Sequence, residues 1–255
     1  MNKLNERSKS LRRELYKLSK ANGGYHYGGT FSCAEILISL YDNILTANDR
    51  FILSKGHACW GYYVLLRERG FNPALGGHPH LDVANGVYFT TGSEGHGFPA
   101  AVGMAFAKKK LNKEGRVFVL IGDGECQEGT TWESLLLGGF HKLNNLTVIV
   151  DYNKIQGSGF VNNILPISAI KSAALASNWC VSEIDGHDND KLYQTLSLCT
   201  SQPHLIIADT IKGKGVDFME YDYKWHGVAP NQEQAEKALQ QLDTIVSKIS
   251  SGDSR

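Results

Sequence analysis

The sequence lacks the charge imbalance that nucleic-acid-binding proteins usually show. Its 255 residues include 26 basic and 26 acidic side chains, and the short run from Lys108 to Lys110 is expected at the solvated end of a helix. We therefore predict no nucleic-acid partner. The N-terminal stretch MNKLNERSKSLRRELYKLSK is charged throughout and has no apolar segment, so it is neither a secretory signal nor a membrane anchor, which favours a cytoplasmic protein.

Cysteine is scarce, and its spacing does not fit cross-links. The five cysteines are odd in number, and no two of them form a C-x-x-C pair. This argues against a disulfide framework and against structural zinc. We expect reduced and mostly packed thiols at Cys33, Cys59, Cys126, Cys180 and Cys199.

Apolar runs of strand length recur along the chain, separated by helical patterns. Uninterrupted apolar strands are typical of a parallel sheet that is covered on both faces. The predicted strands span residues 117–121, 146–150, 181–184 and 205–208. The 42% of apolar residues is ample for a buried core.

Helices are predicted between these strands at residues 98–110 and 131–141, and a last amphipathic helix at 231–249. Capping-box spacing places helix starts at Ser32, with Glu35, and at Thr130, with Glu133. The pattern predicts an α/β fold, a doubly wound, mainly parallel sheet flanked by helices, as a single domain over 1–255. We expect a flexible tail at about 250–255.

One loop combines glycines with a carboxylate directly after an apolar strand. Gly122, Asp123 and Gly124 do not fit the spacing of a dinucleotide fingerprint, and no Walker lysine follows. A bare carboxylate would repel a bound phosphate unless a cation lies between them. Mg²⁺ prefers oxygen ligands, and Asn153, which follows the next strand, supplies a second one. Taken singly, these residues also fit simple turns and a helix cap.

The glycine loop and Asn153 together resemble the thiamin diphosphate motif, and most of the chain resembles the N-terminal part of transketolase. The resemblance is carried by ordered blocks: HYGG at residues 26–29, LSKGHA at 53–58, GGHP at 76–79, TTGSEGHG at 90–97, GDGECQEGTTWE at 122–133, VDYNKIQ at 150–156, IDGHD at 184–188, IKGKG at 211–215 and WHGVAP at 225–230. The resemblance implies the thiamin diphosphate-binding fold and transfer of a two-carbon ketol unit from a ketose to an aldose.

The resemblance also assigns roles to particular residues. Asp123, Asn153 and the carbonyl of Ile155 are expected to bind Mg²⁺, or another divalent cation such as Ca²⁺ or Mn²⁺, which carries the cofactor's diphosphate. The catalytic imidazoles are expected to be His26, His78 and His226, since a neutral-range pKa suits proton exchange with sugar oxygens. The expected cofactor-binding residues are His57, Gly92, Glu94, His96, Gly122, Asp123, Gly124, Glu125, Glu128, Glu133 and Asn153.

The acidic residues of these blocks differ in their expected roles. Glu128 and Glu133 match family positions at an interface between subunits, whereas Glu125 is also consistent with a simply solvated side chain. Where transketolases usually read T-G-(P/S)-L-G-Q-G, this chain has Glu94 and His96, which favours a modified or nucleotide-linked sugar as substrate.

In the resembled family the cofactor lies between this domain and a pyrimidine-binding domain, and the sequence ends before such a domain. We therefore predict the N-terminal subunit of a split transketolase, active only with a separate C-terminal subunit, as an α2β2 assembly. Two alternatives remain open: a subunit of another thiamin diphosphate enzyme, such as a synthase or a 2-oxoacid decarboxylating enzyme, and a non-catalytic cofactor-binding module.

Overall fold

The computed structural model describes residues 4–243, so the predicted tail and the end of the last predicted helix lie outside the described residues. A five-stranded parallel sheet has the order β1-β2-β3-β7-β6, and a separate short antiparallel hairpin pairs β4 with β5. The strands are β1 (Arg50–Leu53), β2 (Val117–Gly122), β3 (Leu146–Tyr152), β4 (Ile155–Gln156), β5 (Gly159–Phe160), β6 (Cys180–Asp185) and β7 (His204–Asp209).

Helices connect and cover the parallel strands, as the sequence predicts. They are α1 (Glu6–Ala21), α2 (Tyr27–Ser32), α3 (Ala34–Ser39), α4 (Cys59–Arg67), α5 (Gly97–Lys110), α6 (Gly129–Phe140), α7 (Val161–Ile164), α8 (Ser168–Ala176), α9 (Asn189–Leu196) and α10 (Gln232–Asp243). The basic run at the end of α5 has its last two lysines exposed, as expected.

Alternation along the strands builds a separate apolar core on each face of the sheet. In β2, Phe118 and Leu120 pack with residues of α1 to α4, α9 and α10. Val119 and Ile121 point to the opposite face and pack with α5, α6 and α8. Successive strand side chains point to opposite faces, so a wholly apolar strand is buried only when helices cover both. The doubly wound fold is therefore confirmed.

Three details of the sequence prediction differ from the structure. Strand β1 escapes the prediction because only three consecutive apolar residues mark it. Strand β6 is predicted, but it is an edge strand with partly exposed residues and is not covered like the others. The dipeptide strands of the β4–β5 hairpin are too short to leave a periodic signal.

Both predicted capping boxes are wrong. The Ser32 hydroxyl lies at the end of α2 and donates to the Gly29 carbonyl and to Asp151, while α3 begins after Cys33. The Thr130 hydroxyl donates to the Gly95 carbonyl at 2.7 Å, inside a helix that already began one residue earlier. In each case a partner distant in sequence replaces the local backbone N–H that a cap requires.

Candidate active site

The candidate site lies where the parallel strands end. Strands β1, β2, β3 and β7 are neighbours, and each is followed within three residues by a polar side chain: Lys55, Asp123, Asn153 and Lys212, respectively. Parallel strands present their carboxyl ends at one edge, which is where open α/β sheets bind ligands. A cavity of about 250 Å³ opens there. Of the sequence-predicted residues, it is lined by His57, Glu94, Gly122, Asp123, Gly124, Glu128, Asn153, Ile155 and His226.

A buried ion pair includes Lys55, one of the residues that line the cavity. Lys55 and Asp151 are 1% and 0% exposed, and the lysine ammonium donates to the aspartate. Burial alone would raise the pKa of Asp151, but the Lys55 charge and hydrogen bonds from Ser32 and Thr210 lower it. Asn153 donates its amide to the same carboxylate at 3.2 Å. The ion pair therefore fixes the orientation of Asn153, one of the predicted metal ligands.

Asp123 is a buried carboxylate that lacks sufficient neighbouring positive charge. Its two oxygens accept backbone N–H groups, from Gly124 at 2.9 Å and from Lys154 at 2.6 Å. Lys154 takes a left-handed conformation, with φ of 69°, to direct its N–H there. Burial, followed by repulsion from Asp151, raises the pKa of Asp123 to about 6. A bound cation would relieve this repulsion, which fits the role predicted for Asp123.

The donor set fits a hard divalent cation. Asp123, Asn153 and the Ile155 carbonyl all supply oxygen, and within residues 4–243 no group of three or more His, Cys, Asp or Glu side chains is arranged to hold a metal. Mg²⁺ takes only one or two protein ligands in many sites and completes its octahedron with phosphate and water. The residues therefore match a metal that binds together with a diphosphate.

The sequence analysis missed Lys212, which lines the cavity. Its ammonium donates to the Ile155 carbonyl at 2.8 Å and contacts His226 Nδ1 at 3.0 Å. Burial, followed by repulsion from Lys55, lowers the pKa of Lys212 to about 8. Lys212 belongs to the IKGKG block, but the sequence does not show where the side chain of a lysine in a glycine-rich loop lies in the fold. In the structure it adds positive charge beside the Ile155 carbonyl, one of the predicted metal ligands.

Four predicted histidines converge above the strand ends. The ring of His26 lies 5.3 Å from that of His57, 5.2 Å from that of His226 and 6.5 Å from that of His78, measured between centroids. Burial is the main cause that lowers the pKa of His26, His57 and His226, in the last case to about 3. Neutral imidazoles at this spacing can each donate one hydrogen bond and accept another.

The unusual TGSEGHG block places one of its two distinctive residues in the cavity. The Glu94 carboxylate lies 3.3 Å from His57 Nδ1, and burial raises its pKa. His96 is exposed and contacts the Glu94 carbonyl at 3.0 Å, outside the cavity lining. Gly92 has φ of 146°, and a Cβ there would lie 3.1 Å from the His78 ring, so glycine lets this loop pass close to the imidazole.

The glutamates of the glycine-loop block have three different environments. The expectation that Glu125 is solvated is wrong: it is 0% exposed and accepts hydrogen bonds from Ser54 and from the Gly95 and Gly122 N–H groups. Its carboxylate therefore braces the loop backbone. Glu128 is exposed at the rim of the cavity, and Glu133 is exposed on α6.

An open parallel sheet with oxygen donors, two buried lysines and several imidazoles at its carboxyl edge is an arrangement that suits an enzyme domain with an anionic cofactor. The family "Transketolase, thiamine diphosphate binding domain" matches residues 13–244, and the chain belongs to this family. The identification made from the sequence is confirmed, and the chain is a subunit of a transketolase-type transferase.

Similar proteins fall into two length classes. The chain is 34% identical to an apulose-4-phosphate transketolase subunit of Phocaeicola vulgatus, over 94% of both chains. It is 32% identical to the 6-deoxy-6-sulfo-D-fructose transketolase subunit SqwG of a Clostridium species, over 90% of this chain and 92% of the relative. The crystal structure of Campylobacter jejuni transketolase superposes with a TM-score of 0.81 at 29% identity, but this chain covers only 42% of that one.

The helices fall short of the requirements of a membrane span. Within residues 4–243, no helix is both long enough and apolar enough to cross a bilayer. Among the helices as far as they are described, the longest is α1, whose sixteen residues are rich in charge.

Proposed function

We propose that this chain is the diphosphate-side subunit of a two-component transketolase, which transfers a two-carbon ketol unit from a ketose to an aldose. The observation that carries this proposal is the near end-to-end match to two proteins named as transketolase subunits, against a 42% match to a transketolase chain. Bound thiamin diphosphate would supply the electron sink for carbon–carbon bond cleavage. The residues of this chain would bind the cofactor, orient the sugar and hold protons.

Different residues of the cavity would carry these tasks. Asp123, Asn153 and the Ile155 carbonyl would hold Mg²⁺. Gly124 and Lys212 line the same cavity, and the Lys212 ammonium would contact the anionic end of the cofactor, while the glycine leaves room for it. His57, which also lines the cavity, would be a further contact to the cofactor.

The remaining imidazoles would serve the sugar. The ring of His26 lies 5.2 Å from that of His226 and 6.5 Å from that of His78, and these imidazoles would donate to sugar oxygens or accept their protons. The Lys212 ammonium donates to His226 Nδ1, which leaves Nε2 protonated and able to donate.

The assembly would be an α2β2 heterotetramer, that is, two copies of this chain and two of the partner subunit. The two copies of this chain would be in contact through helix α6. The outward face of this helix carries a stripe of exposed apolar residues: Leu136 at 63%, Leu137 at 49% and Phe140 at 79% exposure. Glu133 lies on the same face. Such a stripe is typical of an interaction surface, and α6 follows the glycine loop directly along the chain, which supports a contact between two copies on this side of the domain. The separate pyrimidine-binding subunit would meet the carboxyl edge of the sheet.

The oligomeric state tests this arrangement. Phe140→Asp is expected to convert the dimer of this chain to monomers in analytical ultracentrifugation of the full chain, because it places a charge within the proposed α6 contact. Leu111→Asp is the matched control, since Leu111 is 67% exposed at the end of a different helix. Equal sedimentation of wild type and Phe140→Asp would reject the α6 interface.

The substrate would be a modified sugar. The relatives named above act, by their names, on apulose-4-phosphate and 6-deoxy-6-sulfo-D-fructose. In this chain Glu94 adds a carboxylate to the cavity wall, 3.3 Å from His57. The carboxylate would select sugars by accepting hydrogen bonds from their hydroxyls, and it would disfavour an anionic group of the sugar close to it. A shift in donor preference is expected for Glu94→Gln in the two-subunit enzyme, with His96→Gln as the neighbouring control. An unchanged preference would remove Glu94 from specificity.

Reconstitution tests the function itself. The isolated chain is expected to show negligible ketol transfer, and addition of the pyrimidine-binding subunit should restore it. We place the enzyme in the cytoplasm as part of the same proposal. Robust turnover by the isolated chain would contradict the two-component proposal. Decarboxylation of a 2-oxoacid by the complex would favour another thiamin diphosphate enzyme, and cofactor binding without turnover would favour a non-catalytic module.

A further inference from the structure

We propose that His187 is a positioning residue: with Arg12 and Glu35 it fixes the loop that carries Lys212 into the cofactor cavity. His187 belongs to the IDGHD block, and its ring lies outside the cavity lining. The inference rests on the proposed function, because it assumes that Lys212 faces a bound diphosphate.

The first part of the device is a buried ion pair between helices. The Arg12 guanidinium of α1 contacts both oxygens of Glu35 in α3, at 2.5 and 2.9 Å, and the two side chains are 0% and 1% exposed. Its remaining nitrogen, Nε, donates to the Lys214 carbonyl at 2.8 Å. One end of the 211–214 loop is therefore tied to the ion pair.

His187 ties the other end of the loop. Its Nε2 accepts the Ile211 N–H at 3.0 Å, and its Nδ1 lies 2.8 Å from Glu35. Since Nε2 accepts from an amide, Nδ1 must carry the proton and donate to the carboxylate. The side chain is 6% exposed, so water is largely excluded from these bonds. The imidazole therefore connects the ion pair to the loop in a single tautomer.

Lys212 lies between the two tied points. Its own backbone is held further by the Gly213 N–H, which donates to Gly28, and by the Tyr221 N–H, which donates to the Lys212 carbonyl. With the backbone fixed, the lysine side chain extends to the Ile155 carbonyl and His226. A loop freed at Ile211 would let the ammonium sample positions away from the metal ligands, so a bound diphosphate would lose a preorganised cation.

A double-mutant cycle tests this coupling in the full chain together with its partner subunit. His187→Leu should weaken thiamin diphosphate binding, measured by calorimetry with Mg²⁺, about tenfold, the lower end of the range for residues that orient a ligand. His187→Gln can still accept from Ile211 and donate to Glu35, and it should recover binding to within about threefold. In a Lys212→Met background, the His187→Leu change should have less than about a twofold effect, because residues that act through one another are not additive.

The readouts separate positioning from general destabilisation. We expect the KM for thiamin diphosphate to rise more than the KM for the sugar donor, because Lys212 would reach the sugar only through His226. Equal weakening of cofactor binding by His187→Leu with and without Lys212 would overturn the inference, as would unchanged binding. If His187→Leu does not fold, His187→Asn replaces it, because its shorter side chain cannot span both the Ile211 N–H and Glu35. Amide hydrogen exchange at residues 211–215 should then be faster than in wild type and in His187→Gln, and unaltered exchange in His187→Asn would overturn the inference. A wild-type complex that does not bind thiamin diphosphate would instead reject the proposed function.

Discussion

Replacing Lys55 with methionine would leave the Asp151 carboxylate buried without its cation. Both side chains are at most 1% exposed, so water cannot take over the lost contact. Removing one partner of a buried ion pair costs about 3–5 kcal/mol. Ser32, Thr210 and Asn153 still donate to Asp151, which favours the lower end, about 3 kcal/mol. For a chain of this length that corresponds to a fall of about 6–12 °C in Tm.

The assay is chemical denaturation of the cofactor-free chain in EDTA, at one fixed protein concentration. Asp151→Asn added to Lys55→Met removes both charges, and the double variant should return to within about 1–2 kcal/mol of wild type, since a neutral pair avoids the unpaired charge. A loss below about 1 kcal/mol in Lys55→Met, or a double variant less stable than the single one, would refute the reasoning. The same variants should bind the cofactor poorly, because the ion pair orients Asn153.

Other residues give predictions of the same kind. Wild type should gain about 2.7 kcal/mol of stability from Mg²⁺ and thiamin diphosphate at a hundredfold excess over Kd. Thermal melts should show that this gain vanishes in EDTA or in Asp123→Asn. A full gain in Asp123→Asn would exclude Asp123 as a ligand. Glu125→Ala should lower the free energy of unfolding by about 2–4 kcal/mol, because it leaves the Gly95 and Gly122 N–H groups unpaired. The exposed control Glu133→Ala should lower it by less than about 0.5 kcal/mol. Urea denaturation measures both, and equal losses would contradict a bracing role for Glu125. Burial, with Arg116, lowers the pKa of His204 from 6.5 to about 4, so the unfolded chain binds more protons between these values, and wild type should lose about 3 kcal/mol as pH falls from 6.5 to 4. His204→Gln should lose less over the same window, and identical pH profiles would show that His204 is not buried neutral.

Strand and helix patterns can be predicted wherever burial on two faces leaves a continuous apolar run. Residues 117–121 and 146–150 are identified for this reason, and the structure extends them only to Gly122 and Tyr152. Strand β1 gives too short a run. The capping boxes fail because Ser32 and Thr130 bond to groups that only the folded chain brings near. Local spacing therefore predicts elements reliably and their exact ends poorly.

Some residues of the candidate site can be predicted from motifs, whereas others can be recognised only in the folded structure. Asp123 and Asn153 can be paired from the sequence because a βαβ crossover places successive strand ends side by side. Lys212 cannot, because it follows β7, and only the strand order β3-β7-β6 shows that β7 lies next to β3. The burial of Glu125 is missed for a related reason: the N–H groups that it accepts belong partly to a loop thirty residues away.

The sequence by itself determined the family and the doubly wound fold, and it supplied the candidate site residues, because apolar runs and motifs are patterns of residues close together along the chain. The tertiary structure decided which charges meet. Lys55 with Asp151, Glu35 with Arg12 and His187, and Lys212 with the Ile155 carbonyl are joined across 23 to 152 residues of sequence. The physical reason is that electrostatic contacts depend on distance in space and burial, and neither is encoded by spacing in the sequence.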